Sequence, residues 1–389
     1  MFTFLPPLTL YVHLPWCARK CPYCDFNSHE LKSPVRDSEY VDALIADLEQ
    51  DLPSVWGRAC HAVFIGGGTP SLFSPAAVDR LLSAVRARLQ LVPGAEVTLE
   101  ANPGSSETDK FVGFREAGIN RLSIGVQSFD RRHLESLGRI HDSYEALAAA
   151  DAAKAAGFDN FNLDLMFGLP GQAVAEAMAD ARTAVSSGAA HLSFYQLTIE
   201  PNTVFHRFPP KLPDDDAIWQ MQQEIKGLIA THDYRQYEVS AYARDGYRCR
   251  HNLNYWQFGD YLGIGAGAHA KITFPDHIER FAKVRNPASY LEKAGSGVRI
   301  ASRRRVDGDE AVFEFMLNAL RLTDPVPAAM LQQRTGRTLA SIGKVVHQAQ
   351  SDGLLEITRG TLGATDKGFQ FLNDLLERFL PPGPVRPGA

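Results

Sequence analysis

The 389-residue sequence predicts an α/β protein: a partial (β/α)6 barrel of the TIM type, followed by a smaller α+β unit resembling a winged helix. Three observations predict it. Six short apolar runs alternate with helix-compatible stretches, and such a series requires parallel strands joined by crossovers. Residues of unusual chemistry fall at the C-terminal ends of those runs, where a barrel of this kind carries its functional loops. From about Asp309 the pattern changes to short helices and a hairpin.

The first run, Leu8–Leu14, leads into a loop with three cysteines, Cys17–Cys24. A helix follows at about Ser38–Leu52, with Val41, Leu44, Ile45 and Leu48 on one face. Ala62–Ile65 is the second strand. Pro75–Leu89 is its helix, apolar at Val78, Leu81, Leu82, Val85 and Leu89. Glu96–Leu99, Leu122–Val126, Phe161–Met166 and Leu192–Leu197 complete the series. Beyond it, helices are expected at Asp309–Leu322, Ala328–Thr335 and Leu339–Asp352, then a β-wing at Leu354–Ala364 and a last helix at Asp366–Leu380. The expected domains are the barrel with its cysteine loop (1–235), an extension (236–305), the winged-helix-like unit (306–380) and a disordered Pro-rich tail (381–389).

Hydrophobic residues make up 45% and charged residues 22% of the chain, and the net charge of −5 argues against bulk nucleic-acid affinity. Residues 326–389 hold seven Lys or Arg against five Asp or Glu, too mild an excess for phosphate binding by the winged-helix-like unit. The N-terminus lacks the flank and apolar core of a signal peptide, and no run approaches a membrane span, so a cytoplasmic protein is expected. Five cysteines, three of them clustered, suit thiolates kept reduced for metal better than a disulfide scaffold.

Cys17, Cys21 and Cys24 form C-x3-C-x2-C. Three thiolates on one loop can hold three corners of an iron–sulfur cluster or three positions on zinc, and no fourth cysteine lies nearby. A structural zinc knuckle is the bland alternative. The other strand ends argue for a site. They carry Gly66-Gly67-Gly68-Thr69-Pro70-Ser71, then Glu100-Ala101-Asn102-Pro103, then Gln127-Ser128-Phe129 with Arg139 beyond a short helix, while Asp164 lies in the fifth strand. An acid, an amide, a base and a second acid thus converge on the rim that bears the cysteines.

These residues resemble the radical S-adenosylmethionine proteins, whose signature is C-x3-C-x2-C with an aromatic before the last cysteine, here Tyr23. The resemblance implies a [4Fe-4S] cluster on Cys17, Cys21 and Cys24, with its open iron chelated by S-adenosylmethionine, which reduction cleaves to a 5′-deoxyadenosyl radical. More narrowly, the chain is similar to the group that contains oxygen-independent coproporphyrinogen III oxidase and a haem-chaperone branch. Leu10–Pro15, Phe64–Pro70, Glu100–Pro103, Ser123–Phe129, Leu137–Arg139 and Asp164–Met166 carry that likeness. It implies Tyr11, Gly67, Gly68, Thr69, Glu100, Gln127, Arg139 and Asp164 as contacts to S-adenosylmethionine.

Within the group, the oxidases carry a further cysteine where this chain has Phe26, and a longer N-terminal segment. His251-Asn252-Leu253-Asn254-Tyr255-Trp256 matches the HNxxYW motif of the chaperone branch, and Glu314–Leu322 agrees with it. The resemblance therefore implies a haem chaperone; whether it is also an enzyme is left open. Its partners would be haem, haem-accepting proteins such as membrane-associated respiratory enzymes, and an electron or haem donor protein; nucleic acid is not among them. Peripheral membrane contact is compatible with such recipients. The alternative is the oxidase, which decarboxylates two propionates of coproporphyrinogen III; a radical enzyme that modifies the macrocycle is a third, weaker reading. His251 is the first candidate for an axial haem ligand, with Cys249 and His269 as rivals. Leu262–His269 is Gly-rich without a following G-K-[ST], and reads as close backbone packing.

Overall fold

The computed structural model describes residues 2, 4–32 and 36–381, so the expected tail lies outside the described residues except for Pro381. Six parallel strands form in the expected places: β1 (Leu8–Leu14), β2 (Ala59–Gly67), β3 (Gln90–Ala101), β4 (Arg121–Gln127), β5 (Phe161–Phe167) and β6 (His191–Gln196). They pair in chain order, with Tyr11 opposite Phe64, Glu100 opposite Ser123 and Asp164 opposite Ser193. Alternate side chains part to two faces. Leu10, Val12, Val63, Ile65, Leu99, Ile124 and Leu163 point outward into the main core, under helices that include α1 (Asp37–Val55) and α2 (Pro75–Arg88). The other face is polar. On it Asn162 bonds Ser123, Asp164 and His191, at 2.8, 2.9 and 2.7 Å.

The same sheet runs on past both edges, a feature not expected from the sequence. Short strands β7 (Arg235–Gln236) and β8 (Ala241–Ala243) continue it beyond β6. On the far side β9 (Asp260–Ile264) pairs parallel with β1, and β10 (His269–Thr273), β11 (Ile278–Lys283) and β12 (Ile300–Val306) follow in antiparallel order. The Gly-rich run does pack closely. A Cβ on Gly263 would lie 2.0 Å from the His269 carbonyl oxygen, and one on Gly265 2.3 Å from that of His13. Its first half is nevertheless a strand.

A buried ion quartet ties this extension to the barrel. Asp47 and Asp51 on α1 both meet Lys283 of β11 and Arg299 just before β12, and all four are nearly inaccessible. The C-terminal unit has its own core around Phe315, Met316, Leu331, Val346, Leu362 and Leu375, which also takes in Phe258 and Ile278 from the extension. Two expected helices differ in detail. The segment from Leu339 begins as a 3-10 turn before the helix Gly343–Ser351, and the last helix breaks at Phe371 into Asp366–Gln370 and Leu372–Glu377.

Lys283→Met should destabilise the protein by about 3–5 kcal/mol in equilibrium denaturation, because it leaves two buried carboxylates facing one guanidinium. A loss under about 1 kcal/mol would show that the quartet is not the clamp it looks like.

Candidate functional site

The strand C-termini surround a cavity of about 370 Å³. All three loop cysteines line it, as do Gly67, Gly68, Thr69, Glu100, Gln127, Arg139 and Asp164. The loop is closed by Trp16–Cys17 pairing with His29–Glu30, and a turn brings the Cys24 amide to the Cys21 carbonyl at 3.2 Å. The three thiols are free and half-buried. Cys60 and Cys249 are fully buried elsewhere, where burial pushes both thiols up to about 12.

The glycine loop is pinned against the cysteine loop by its backbone. Gly68 donates to the Leu14 carbonyl at 2.8 Å and Thr69 to that of Trp16 at 2.7 Å. A Cβ on Gly68 would sit 2.5 Å from the Trp16 oxygen, and Gly67 adopts φ 119°, so neither position admits a side chain without a shift. The Gly67 amide donates to Glu100 Oε2 at 2.9 Å. Arg139 joins the remaining parts. Its Nη1 points at Cys21 Sγ, 3.7 Å away, and its Nη2 donates to Asn102 Oδ1 and the Gly125 carbonyl at 2.7 and 2.6 Å. Asn102 in turn donates to Thr69 Oγ1 at 3.2 Å. Asn102 was visible in the strand-end pattern, but its bridging role depends on a contact that spacing does not encode.

Burial sets the electrostatics. It raises Glu100 to about 7, helped by the charge of Asp164 and opposed by the Gly67 amide. Burial also raises Asp164, against hydrogen bonds from Ser123 at 2.8 Å and Asn162 at 2.9 Å. Three adjacent thiols fit a cluster with one iron left open. Two carboxylates, a guanidinium whose Nε has no partner among the described residues, and a glycine loop that permits close approach fit a small ligand with amino, carboxylate and hydroxyl groups.

Tyr11 and His251 lie elsewhere. The Tyr11 hydroxyl meets His13 Nδ1 at 3.0 Å, and His13 Nε2 meets the Asn27 carbonyl at 3.0 Å. His251 belongs to a short helix, α3 (Arg250–Trp256), whose first amides are capped by Glu96, with Arg250 and His251 N–H at 2.9 and 3.2 Å. Its ring packs 5.0 Å from Phe64 and 6.3 Å from Tyr11. Burial, with the nearby Arg121 charge, lowers its pKa to about 3, and its Nδ1 has no partner among the described residues. Tyr255 packs on Tyr261 at 5.1 Å, and Trp256 lies 4.4 Å beneath the Arg321 guanidinium.

A partial barrel with three thiols on the loop after its first strand, beside a glycine loop and paired acids, defines a radical S-adenosylmethionine protein. A family model described as the Radical SAM superfamily matches residues 11–184, and one described as the HemN C-terminal domain matches residues 306–371. The chain is 50% identical to the heme chaperone HemW of Escherichia coli, over 97% of this chain and 99% of that one. It is 46% identical to HemW of Haemophilus influenzae, over 97% and 98%, and 33% identical to HemW of Bacillus subtilis, over 95% and 98%. The chain belongs to the HemW family within the radical S-adenosylmethionine superfamily, and that superfamily implies a [4Fe-4S] cluster and S-adenosylmethionine. The solved coproporphyrinogen III oxidase (HemN) of Escherichia coli shares the fold, with a TM-score of 0.81 at 22% identity over 96% of this chain and 90% of that one.

The raised Glu100 carboxyl predicts a pH dependence. The folded protein holds this proton up to about pH 7 while an unfolded glutamate releases it near its usual value, so the folded state binds more protons in between and stability falls as pH rises through that window. In the cofactor-free protein, Glu100→Gln should therefore gain stability relative to wild type between about pH 5 and about pH 7, by at most about 1.4 kcal/mol per pH unit. Denaturant midpoints of the pair across that range check it; a constant difference would mean that Glu100 titrates normally.

Proposed function

We propose that the protein is a haem chaperone, which binds haem and passes it to haem-requiring proteins. The observation that carries this reading is near full-length likeness to relatives named heme chaperones, at up to 50% identity among those compared. The cavity rim supports it. Phe26 stands there where the oxidases are expected to carry another cysteine, and it is 61% exposed. Coproporphyrinogen decarboxylation is not favoured, since the likeness to the solved oxidase extends to the fold alone.

Cys17, Cys21 and Cys24 would hold the cluster. Gly67, Gly68 and Thr69 would give S-adenosylmethionine a close backbone wall, Glu100 and Asp164 would accept from its amino group and ribose hydroxyls, and Arg139 would meet its carboxylate. Gln127 lines the same cavity, and Tyr11 would act from beneath, through His13. When bound, the cluster supplies a reducing electron to the sulfonium. Recipients would be haem proteins, respiratory enzymes among them. No helix among the described residues is long and apolar enough to cross a membrane, and a cytoplasmic site of action with peripheral membrane contact suits such recipients.

The cluster-loaded protein should bind haem at low micromolar concentration under anaerobic titration, and should form no protoporphyrinogen from coproporphyrinogen III with S-adenosylmethionine. Absence of binding, or turnover, would overturn the chaperone reading. Serine at position 17, 21 or 24 should abolish iron–sulfur absorption, whereas Cys60→Ser and Cys249→Ser should keep it. An essential Cys60 would refute the three-ligand assignment.

A further inference from the structure

Of the three iron ligands that the sequence nominates, two are shut away. His251 is 8% exposed behind Phe64 and Tyr11, and Cys249 is fully buried, with its thiol 3.4 Å from Glu96. A porphyrin is a rigid plane, and it reaches neither without prising the α3 helix off the barrel. His269 differs. It opens β10, level with Tyr11 across Gly263, and is exposed.

The turn before His269 is tied to the cysteine loop. Asn27, three residues past Cys24, donates through Nδ2 to the Ala266 carbonyl at 2.9 Å and to the Arg285 carbonyl at 3.0 Å. These bonds fix the β9–β10 turn and the end of β11 against the segment that carries Phe26. Gly267 takes φ 79°, and a Cβ there would lie 2.3 Å from Asn27 Nδ2, so the contact depends on glycine. His29 Nε2 meets Asn27 Oδ1 at 3.3 Å. Arg285 is exposed and makes no ion pair among the described residues. Arg280, by contrast, is held by Glu314 and the Tyr261 hydroxyl, at 2.9 and 2.8 Å.

Haem asks for three things: a neutral imidazole for iron, a flat apolar group for the ring, and a cation for a propionate. We propose that haem docks beside the cysteine loop with His269 as its axial ligand, Phe26 against the macrocycle and Arg285 on a propionate. The inference rests on the haem-chaperone reading and moves the iron ligand out of the HNxxYW motif. Partial burial and then the charges of Arg280 and Arg285 lower the His269 pKa, which keeps the imidazole in the neutral form that binds metal. His251 keeps a packing role in the barrel floor.

The test is anaerobic haem titration of the full-length, cluster-loaded protein, read by absorption and electron paramagnetic resonance. Wild type should show imidazole-ligated haem. His269→Ala should lose that signature and bind at least about tenfold more weakly, and free imidazole should restore the signature. Arg285→Ala should weaken binding a few-fold with the signature intact, and His29→Ala and His251→Ala should keep it. Iron–sulfur absorption and circular dichroism should be unchanged in His269→Ala, an exposed position, which separates ligand loss from misfolding. A wild type that binds no haem overturns the chaperone reading and this inference with it. A wild type that binds while His269→Ala keeps the signature, or while His29→Ala or His251→Ala loses it with the cluster intact, overturns the inference alone.

Discussion

The mouth of the barrel depends on one buried guanidinium. Arg139 reaches Asn102 at the end of β3, the Gly125 carbonyl in β4 and the sulfur of Cys21, so it links two strand ends to the cysteine loop. A buried cation is costly unless it is compensated. Its two shortest contacts are neutral oxygens, and the Glu107 carboxylate is among the acidic groups that act on it. The geometry also needs a small residue at 125, where a Cβ would come within 3.4 Å of Arg139 Nη2 and 3.1 Å of Gln127 Nε2. Gln127, at φ 68°, occupies a backbone region that disfavours side chains. Strain and buried charge meet at the point where the cofactors would sit, as is common at functional sites.

The closed end of the barrel is built differently. Glu96 caps the α3 helix through the amides of Arg250 and His251, and the thiol of Cys249 lies against the same carboxylate. Asn254 donates to the Asp260 carbonyl at 2.9 Å, which joins that helix to β9. The HNxxYW segment thus works as a floor. Its His and Tyr positions, and Asn254 between them, each make contacts with strand residues: Phe64 for His251, Asp260 for Asn254, Tyr261 for Tyr255. Arg121, fully buried near Glu96 and Cys249, places a second cation inside the barrel, with the Glu96 and Asp164 carboxylates as its acidic neighbours.

The barrel strands were legible because each has an outward apolar row that only a covered parallel sheet explains, and β1 begins and ends where its apolar run does. The cavity residues were legible for a related reason: they follow directly from those strands, so locating the strands located them. The extension was not legible. β9 is interrupted by Gly263, β10 carries Lys271, and β12 presents Arg303, Arg304 and Arg305 in succession, so none shows a strand pattern. What permits them is tertiary. Lys271 is buried only because Asp260 and the carbonyls of Phe258 and Gly259 receive it, and Lys283 only because Asp47 and Asp51 do. The position of His251 was hidden too, since a motif states residue types and not which side of a helix faces a barrel.

The cysteine loop and the Phe26 ring sit on one hydrogen-bonded segment. The segment from Cys24 to Leu31 is held by backbone bonds: Ser28 N–H to Phe26 O at 2.6 Å, His29 N–H to Pro15 O at 2.7 Å and Leu31 N–H to Cys17 O at 2.9 Å. Lys20 closes it from outside, donating to the carbonyls of Phe26 and Ser28, each at 3.1 Å. Cys24 faces the Ser28 hydroxyl at 3.6 Å, so one short stretch positions a thiol, an exposed aromatic ring and the Asn27 amide that grips the extension. That segment thus joins the cysteine loop to the turn that precedes His269.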